Sequence, residues 1–180
     1  MPRYAMVIDT RACIGCSDCV AACKVENELP DGVRWDFVSE TTSGTYPSLF
    51  TAFFSERCNQ CSNAPCVPVC PVGATYQWND SNIVVVDAGK CIGCQACIGA
   101  CPYEARRILQ PAGYIGKCTF CVHRVQNGSD PACVAVCPTR AMHFGLLDEP
   151  GSMVSRLLAT RQYDTLKPAA GTEPNVFYLR

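Results

Sequence analysis

Cys91-Ile-Gly-Cys94-Gln-Ala-Cys97-Ile-Gly-Ala-Cys101-Pro102 is the stretch whose reading decides the fold. Close spacing puts four thiols on one short loop, and the proline ends the turn that brings the last one round. A near copy, Cys13-Ile-Gly-Cys16-Ser-Asp-Cys19-Val-Ala-Ala-Cys23, stands close to the start of the chain. Two further groups have wider gaps, Cys58, Cys61, Cys66, Cys70 and Cys118, Cys121, Cys133, Cys137. Pro65-Cys-Val-Pro-Val-Cys-Pro71 is close to Ala132-Cys-Val-Ala-Val-Cys-Pro138. Groups one and three are therefore one type and groups two and four another, an internal repeat. The 16 cysteines fall into four groups of four with none left over.

Strict Cys-x2-Cys-x2-Cys-x3-Cys-Pro spacing is the run that wraps iron–sulfur clusters in bacterial ferredoxins. Structural zinc uses paired Cys-x2-Cys knuckles separated by a long gap, often with histidine, and only group four could pass for that. A secreted disulfide scaffold would also be cysteine-dense. Gly15 and Gly93 let the backbone bend round a cluster and bring its N–H groups towards sulfur. No other residue type replaces a ligand, so the expectation is four [4Fe–4S] centres. In two-cluster ferredoxins the fourth cysteine of each run ligates the neighbouring cluster. Spacing leaves the pairing open: group one with two and three with four, or one with four and two with three.

Hydrophobic residues are 48% of 180, but the cysteines are committed elsewhere, so the aliphatic core is thin. Metal binding must supply folding energy that apolar burial does not. The formal net charge is −1. Each oxidised cluster with its thiolates adds about −2, so four sites take the chain to about −9. Cations next to the ligands, above all Lys90 and Lys117 and less so Lys24, Arg106, Arg107 and Arg124, are candidates to screen that charge. Nucleic acid is disfavoured by the same charge. The start, Met1 to Asp9, does not read as a signal peptide, and no apolar run approaches the ~20 residues a spanning helix needs. His123 and His143 read as solvent-facing or packed, and no catalytic triad or phosphate loop stands out.

The fold class expected is α+β: two nested bacterial-ferredoxin-like units with short antiparallel hairpins and short helices. One hairpin is expected from Val33–Ser39 and Ser48–Ser55 across 41–47, another from Ala74–Trp78 and Ile83–Val86. Short helical turns should follow the third cysteine of each group. Met142–Gly145 reads as a final strand. Pro150–Tyr163 has helical apolar spacing, and the Val-Phe-Tyr-Leu-Arg terminus reads as a segment that docks on its own domain. The expected division is an outer unit of 1–24 and 102–147, an inner unit of 56–101, a hairpin insertion at 25–55 and a C-terminal helix and docking tail at 148–180.

Tyr4-Ala-Met-Val-Ile-Asp9, the first cysteine run with Lys24-Val-Glu-Asn27, Cys66-x-Pro-x-Cys-Pro71-x-Gly-Ala74, Cys101-Pro-Tyr-Glu-Ala-Arg106 and Lys117-Cys-Thr-Phe-Cys121 carry a resemblance. Together they are similar to the four-cluster iron–sulfur subunits of the dimethyl sulfoxide reductase family, most of all those of polysulfide and thiosulfate reductases. The resemblance implies the nested pairing. Cluster 1 is then held by Cys13, Cys16, Cys19 and Cys137, cluster 2 by Cys23, Cys118, Cys121 and Cys133, cluster 3 by Cys58, Cys61, Cys66 and Cys101, and cluster 4 by Cys70, Cys91, Cys94 and Cys97. It implies a non-catalytic electron-transfer subunit that stands between a molybdopterin catalytic subunit and a quinone-reactive membrane subunit. Cluster 1 would lie nearest the former and cluster 4 nearest the latter. Membrane association would come through those partners, on the periplasmic face by co-export with the catalytic subunit, or alternatively on the cytoplasmic face. A free polyferredoxin carrier, or the wiring subunit of a formate- or hydrogen-linked dehydrogenase, would use the same cubanes.

Anaerobically purified protein should contain about 16 iron atoms per chain. Removing the iron should abolish most of the far-ultraviolet circular dichroism, because the clusters and not the aliphatic core hold the fold. Iron analysis with dichroism before and after chelation checks both.

Overall fold

The computed structural model describes residues 2–180. In chain order the elements are β1 (Tyr4–Asp9), α1 (Asp18–Glu26), β2 (Asp36–Thr45), β3 (Ser48–Arg57), β4 (Thr75–Gln77), β5 (Val84–Val86), α2 (Ala96–Gly99), β6 (Arg107–Leu109), β7 (Tyr114–Gly116), α3 (Val122–Val125), α4 (Ala132–Ala135), β8 (Met142–Leu146), α5 (Met153–Thr160), β9 (Tyr163–Asp164) and β10 (Val176–Leu179). Short strands and short helices alternate around the cysteine loops, an α+β architecture.

One four-stranded sheet, ordered β8-β1-β10-β9, organises the chain. β1 pairs antiparallel with β8 and parallel with β10. Side chains alternate across a strand. Ala5 and Val7 therefore face α5 with Phe177, Leu179 and Val154. Met6 and Ile8 face the other way, with Val176 and Tyr178, onto a core that contains Cys19, Cys58, Cys118, Cys133 and Phe120. The sheet thus has an aliphatic face under one helix and a face packed on the cysteine loops. α5 starts at Ser152, whose Oγ accepts a hydrogen bond from the Ser155 N–H at 3.0 Å, a regular N-cap.

Three two-stranded hairpins complete the fold: β2–β3, β4–β5 and β6–β7. The β2–β3 hairpin is longer than the sequence suggests. Its ladder runs from Asp36↔Arg57 to Thr45↔Ser48, so the turn is Tyr46-Pro47 and the polar residues 41–45 are strand. Exposed Thr and Ser suit a two-sided polar strand as well as a loop, and composition alone cannot separate the two. The β4–β5 hairpin stands where it was expected, shortened by a 3-10 turn at Trp78–Asp80.

Several elements differ from the sequence reading. The third cysteine lies inside α1, α2 and α4 rather than ahead of them, and the segment around Cys66 is a run of turns from Pro65 to Val69. The β6–β7 hairpin has only three pairs per strand, too short to show a period. β8 is not the final strand: the terminus adds β10 between β1 and β9. Docking on its own domain is what the terminus does, as a central parallel strand. Asn175, wholly buried, fastens it by donating from Nδ2 to the Gln60 carbonyl at 2.7 Å. Tyr178 Oη donates to the Ser55 carbonyl at 3.1 Å.

Leu179 is fully buried beneath α5. Leu179→Ala should cost about 2–5 kcal/mol. For a chain of this size that lowers the midpoint of thermal unfolding by roughly 2–4 °C per kcal/mol, read by anaerobic differential scanning calorimetry.

Candidate iron–sulfur sites

Groups one and three fold alike because their glycines permit it. Gly15 and Gly93 have φ of 71° and 67°, and Ser17 and Gln95 both sit at φ 65°. Left-handed residues within a tight loop turn successive N–H groups inward, the nest that suits a polyanion. Each loop also rests on a hairpin. A Cβ on Gly15 would stand 2.7 Å from the Phe53 ring on β3, and one on Gly93 would stand 2.5 Å from the Gly113 carbonyl oxygen between β6 and β7. Groups two and four match in another way. The N–H of Ala74 donates to Cys70 Sγ at 3.2 Å and that of Ala141 to Cys137 Sγ at 3.3 Å, four residues on in each case.

The structure gathers cysteines from distant groups. Cys13, Cys16, Cys19 and Cys137 line one small hollow, closed by Ile14, Val38, Pro138 and Met142. Cys58, Cys61, Cys66 and Cys101 line a second, with Tyr103 and Arg106. Cys118 and Cys133 lie close enough to Cys23 to act on its charge, and Cys133 does the same to Cys121. Cys91 and Cys97 share an apolar cluster with Cys66. Cys94 is exposed and Cys70 and Cys91 are part-exposed, so that last set lies at the surface.

These sulfurs fit a cluster and not a single ion. All sixteen are free thiols. Among the described residues no three Cys, His, Asp or Glu converge closely enough to hold one metal ion. Sulfurs standing round a hollow, instead of about 2.3 Å from a point, suit a cubane better than tetrahedral zinc. Burial acts against ionisation of these thiols. Burial pushes the Cys61 thiol up to about 11, and raises Cys19, Cys23, Cys66, Cys118 and Cys121 as well. Cys70 goes the other way: burial acts upward, but the N–H groups of Thr75, Val72 and Ala74 outweigh it. Buried thiolates need a compensating positive charge, and iron supplies it.

Cations are distributed differently from the sequence expectation. Lys90 is exposed and pairs with Asp87 at 3.5 Å. Lys24 reaches Pro30 O and Asp31, both at 3.3 Å, and Arg124 pairs with Glu26 at 2.9 Å. Lys117 is buried and donates to the carbonyl oxygens of Cys118 (2.9 Å) and Val84. Arg106 is buried beside Cys66, Cys97 and Cys58. Arg57 escaped the sequence reading, although it directly precedes Cys58 as Lys117 precedes Cys118. It is buried, donates from Nη1 to Cys133 Sγ at 2.9 Å, and stands 3.5 Å from the buried carboxylate of Asp36. His123 bonds Glu26 at 2.8 Å at the surface. His143 packs half-buried in β8, where burial lowers its pKa. Gln60 was also missed. Its Nε2 donates to the Cys118 carbonyl at 2.7 Å and its Oε1 accepts from the Val84 N–H at 2.8 Å, tying three segments together.

Comparison with known proteins finds similarity to iron–sulfur proteins. The 4Fe-4S dicluster domain family matches residues 49–147. A tetrathionate reductase subunit of Salmonella typhimurium is 44% identical, the match covering 98% of this chain and 72% of the relative. NrfC of Escherichia coli is 43% identical over 97% of this chain and 79% of its own length. The arsenate respiratory reductase iron–sulfur subunit ArrB of Shewanella sp. is 34% identical over 99% of this chain and 96% of its own.

Gly93→Ala should disturb its site more than Gly15→Ala. The first puts a methyl group against a fixed carbonyl at a left-handed φ, whereas the second meets an aromatic ring that can tilt. Iron content after anaerobic purification should fall for Gly93→Ala and stay nearer the parent value for Gly15→Ala.

Proposed function

We propose, with the premise that this chain belongs to the iron–sulfur electron-transfer subunits of the dimethyl sulfoxide reductase family, that it carries electrons through four [4Fe–4S] clusters. The ligand sets are Cys13, Cys16, Cys19 and Cys137; Cys23, Cys118, Cys121 and Cys133; Cys58, Cys61, Cys66 and Cys101; and Cys70, Cys91, Cys94 and Cys97. Residues 1–24 with 102–147 form the outer unit and 56–101 the inner one, with the hairpin at 25–55 and the tail at 148–180 as additions. Bound in these sites, each cluster takes up and gives up one electron.

The observation that carries the reading is the burial pattern of the four sets. In the first, Cys16 is exposed and Ile14 beside it is 59% exposed. In the fourth, Cys94 is exposed and Ile92 beside it is 64% exposed. The other two sets are buried, apart from part-exposed Cys101. Two sets open to solvent and two shielded from it suit charge that enters at one open set and leaves at the other. The chain's own residues hold the clusters, direct N–H groups to sulfur at Cys70 and Cys137, and keep water from the shielded sets.

The partners we infer are a molybdopterin catalytic subunit at the Cys16 end and a quinone-reactive membrane subunit at the Cys94 end. No described helix is long and apolar enough to cross a membrane; we infer attachment through a partner, on the periplasmic face or alternatively the cytoplasmic one. Exposed Tyr46, Leu49 and Phe50 near the tip of β2–β3 favour a fixed complex over a free carrier.

Paired cysteine substitutions test the ligand sets. Removing two ligands of one cluster should cost about four iron atoms, and removing ligands of two clusters about eight. Cys58→Ser with Cys101→Ser should therefore lose half as much iron as Cys91→Ser with Cys101→Ser. The reverse result would mean that group three keeps its own fourth cysteine.

A further inference from the structure

The buried cations of this chain are of two kinds. Arg57 has a carboxylate beside it: Asp36, itself 1% exposed, lies 3.5 Å away. Arg106 and Lys117, 2% and 1% exposed, have none within ion-pair distance among the described residues. A buried charge is tolerated only when something of opposite sign compensates it. Lys117 donates to two carbonyl oxygens, which solvate it but do not neutralise it. Arg106 reaches Thr75 Oγ1 at 3.4 Å through Nη1, and its Nη2 has no hydrogen-bond partner. The groups placed to balance Arg106 are sulfurs. It lines the hollow of Cys58, Cys61, Cys66 and Cys101, and Cys97 lies close as well. Arg106 therefore stands between the two inner sets, whereas Arg57, bonded to Cys133 and close to Cys19, stands between the two outer sets.

We propose that Arg106 is a positioning residue that raises the reduction potentials of the two inner clusters, while Asp36 cancels Arg57 and leaves the outer clusters without that lift. This rests on the ligand sets proposed above. Each reduction adds one negative charge inside a medium of low dielectric, so a fixed cation beside the sulfurs favours the reduced form. Arginine keeps its charge throughout the working pH range, which makes the bias permanent. Lys117 adds to it, since its charge also acts on Cys66. With its carboxylate ionised, Asp36 makes Arg57 half of a neutral pair, which contributes little net field at the same distance. Two unlike pairs of potentials in one chain follow from this arrangement, and the difference is written in one carboxylate.

Anaerobic redox titration followed by electron spin resonance, on the full chain with its iron content measured, tests this. R106Q should move two of the four titration waves to lower potential, and R106K, which keeps the charge, should restore most of the shift. D36N leaves Arg57 uncancelled and should move waves to higher potential, and these should not be the waves that R106Q moves. R106Q with full iron and unmoved waves would overturn the proposal, as would D36N shifting the R106Q-sensitive waves or lowering any. Should R106Q load poorly, R106K and D36N still decide: R106K must keep the parent potentials and D36N must raise the other two. Failure of the ligand sets is read separately, from the iron lost in the paired cysteine variants.

Discussion

Thiolate charge held away from water is the constraint to which this structure answers. Sixteen cysteines within a chain of 180 residues are too many to leave in an apolar interior and too many to leave in solvent. Burial makes the inner thiols reluctant to ionise, and Cys61, Cys66 and Cys118 are all pushed upward. Iron removes that reluctance, so metal loading and folding are one process. The small aliphatic layer between α5 and the sheet supports this arrangement but does not replace it.

The internal repeat shows how the chain builds sites economically. One loop conformation, with glycine and a second left-handed residue, appears at Cys13–Cys19 and again at Cys91–Cys97. One N–H···S bond, four residues past the fourth cysteine, appears at Cys70 and again at Cys137. What differs is the support. The first loop leans on the long β2–β3 hairpin through Phe53, the other on the short β6–β7 turn through Gly113. The long β2–β3 hairpin thus does for the first loop what the ten residues Arg107–Gly116 do for the third.

Polar residues hold the two halves in register. Gln60 and Lys117 join the second cysteine group, the fourth group and β5, while Asn175 joins the C-terminal strand to the second group. These buried amide and ammonium groups are fully directional. They fix relative placement where greasy contacts would allow sliding. A chain that conducts charge needs such fixity, because the spacing between its sites is its function.

The cysteine spacing by itself determined the chemistry, the repeat and the existence of an α+β fold of short elements, because ligand geometry is local and leaves its mark in adjacent residues. The β4–β5 hairpin and the α5 helix were also legible, since their turn residues and apolar period lie within a few positions. Only the tertiary structure decided that Cys137 stands beside Cys13 and Cys101 beside Cys58, that the terminus becomes a strand parallel to β1, and that Lys90 is exposed while Arg57 and Arg106 are buried against sulfur. Those facts depend on contacts between residues far apart in the chain. A cation next to a cysteine in sequence points inward or outward according to what packs over it, and that is settled only when the chain has closed.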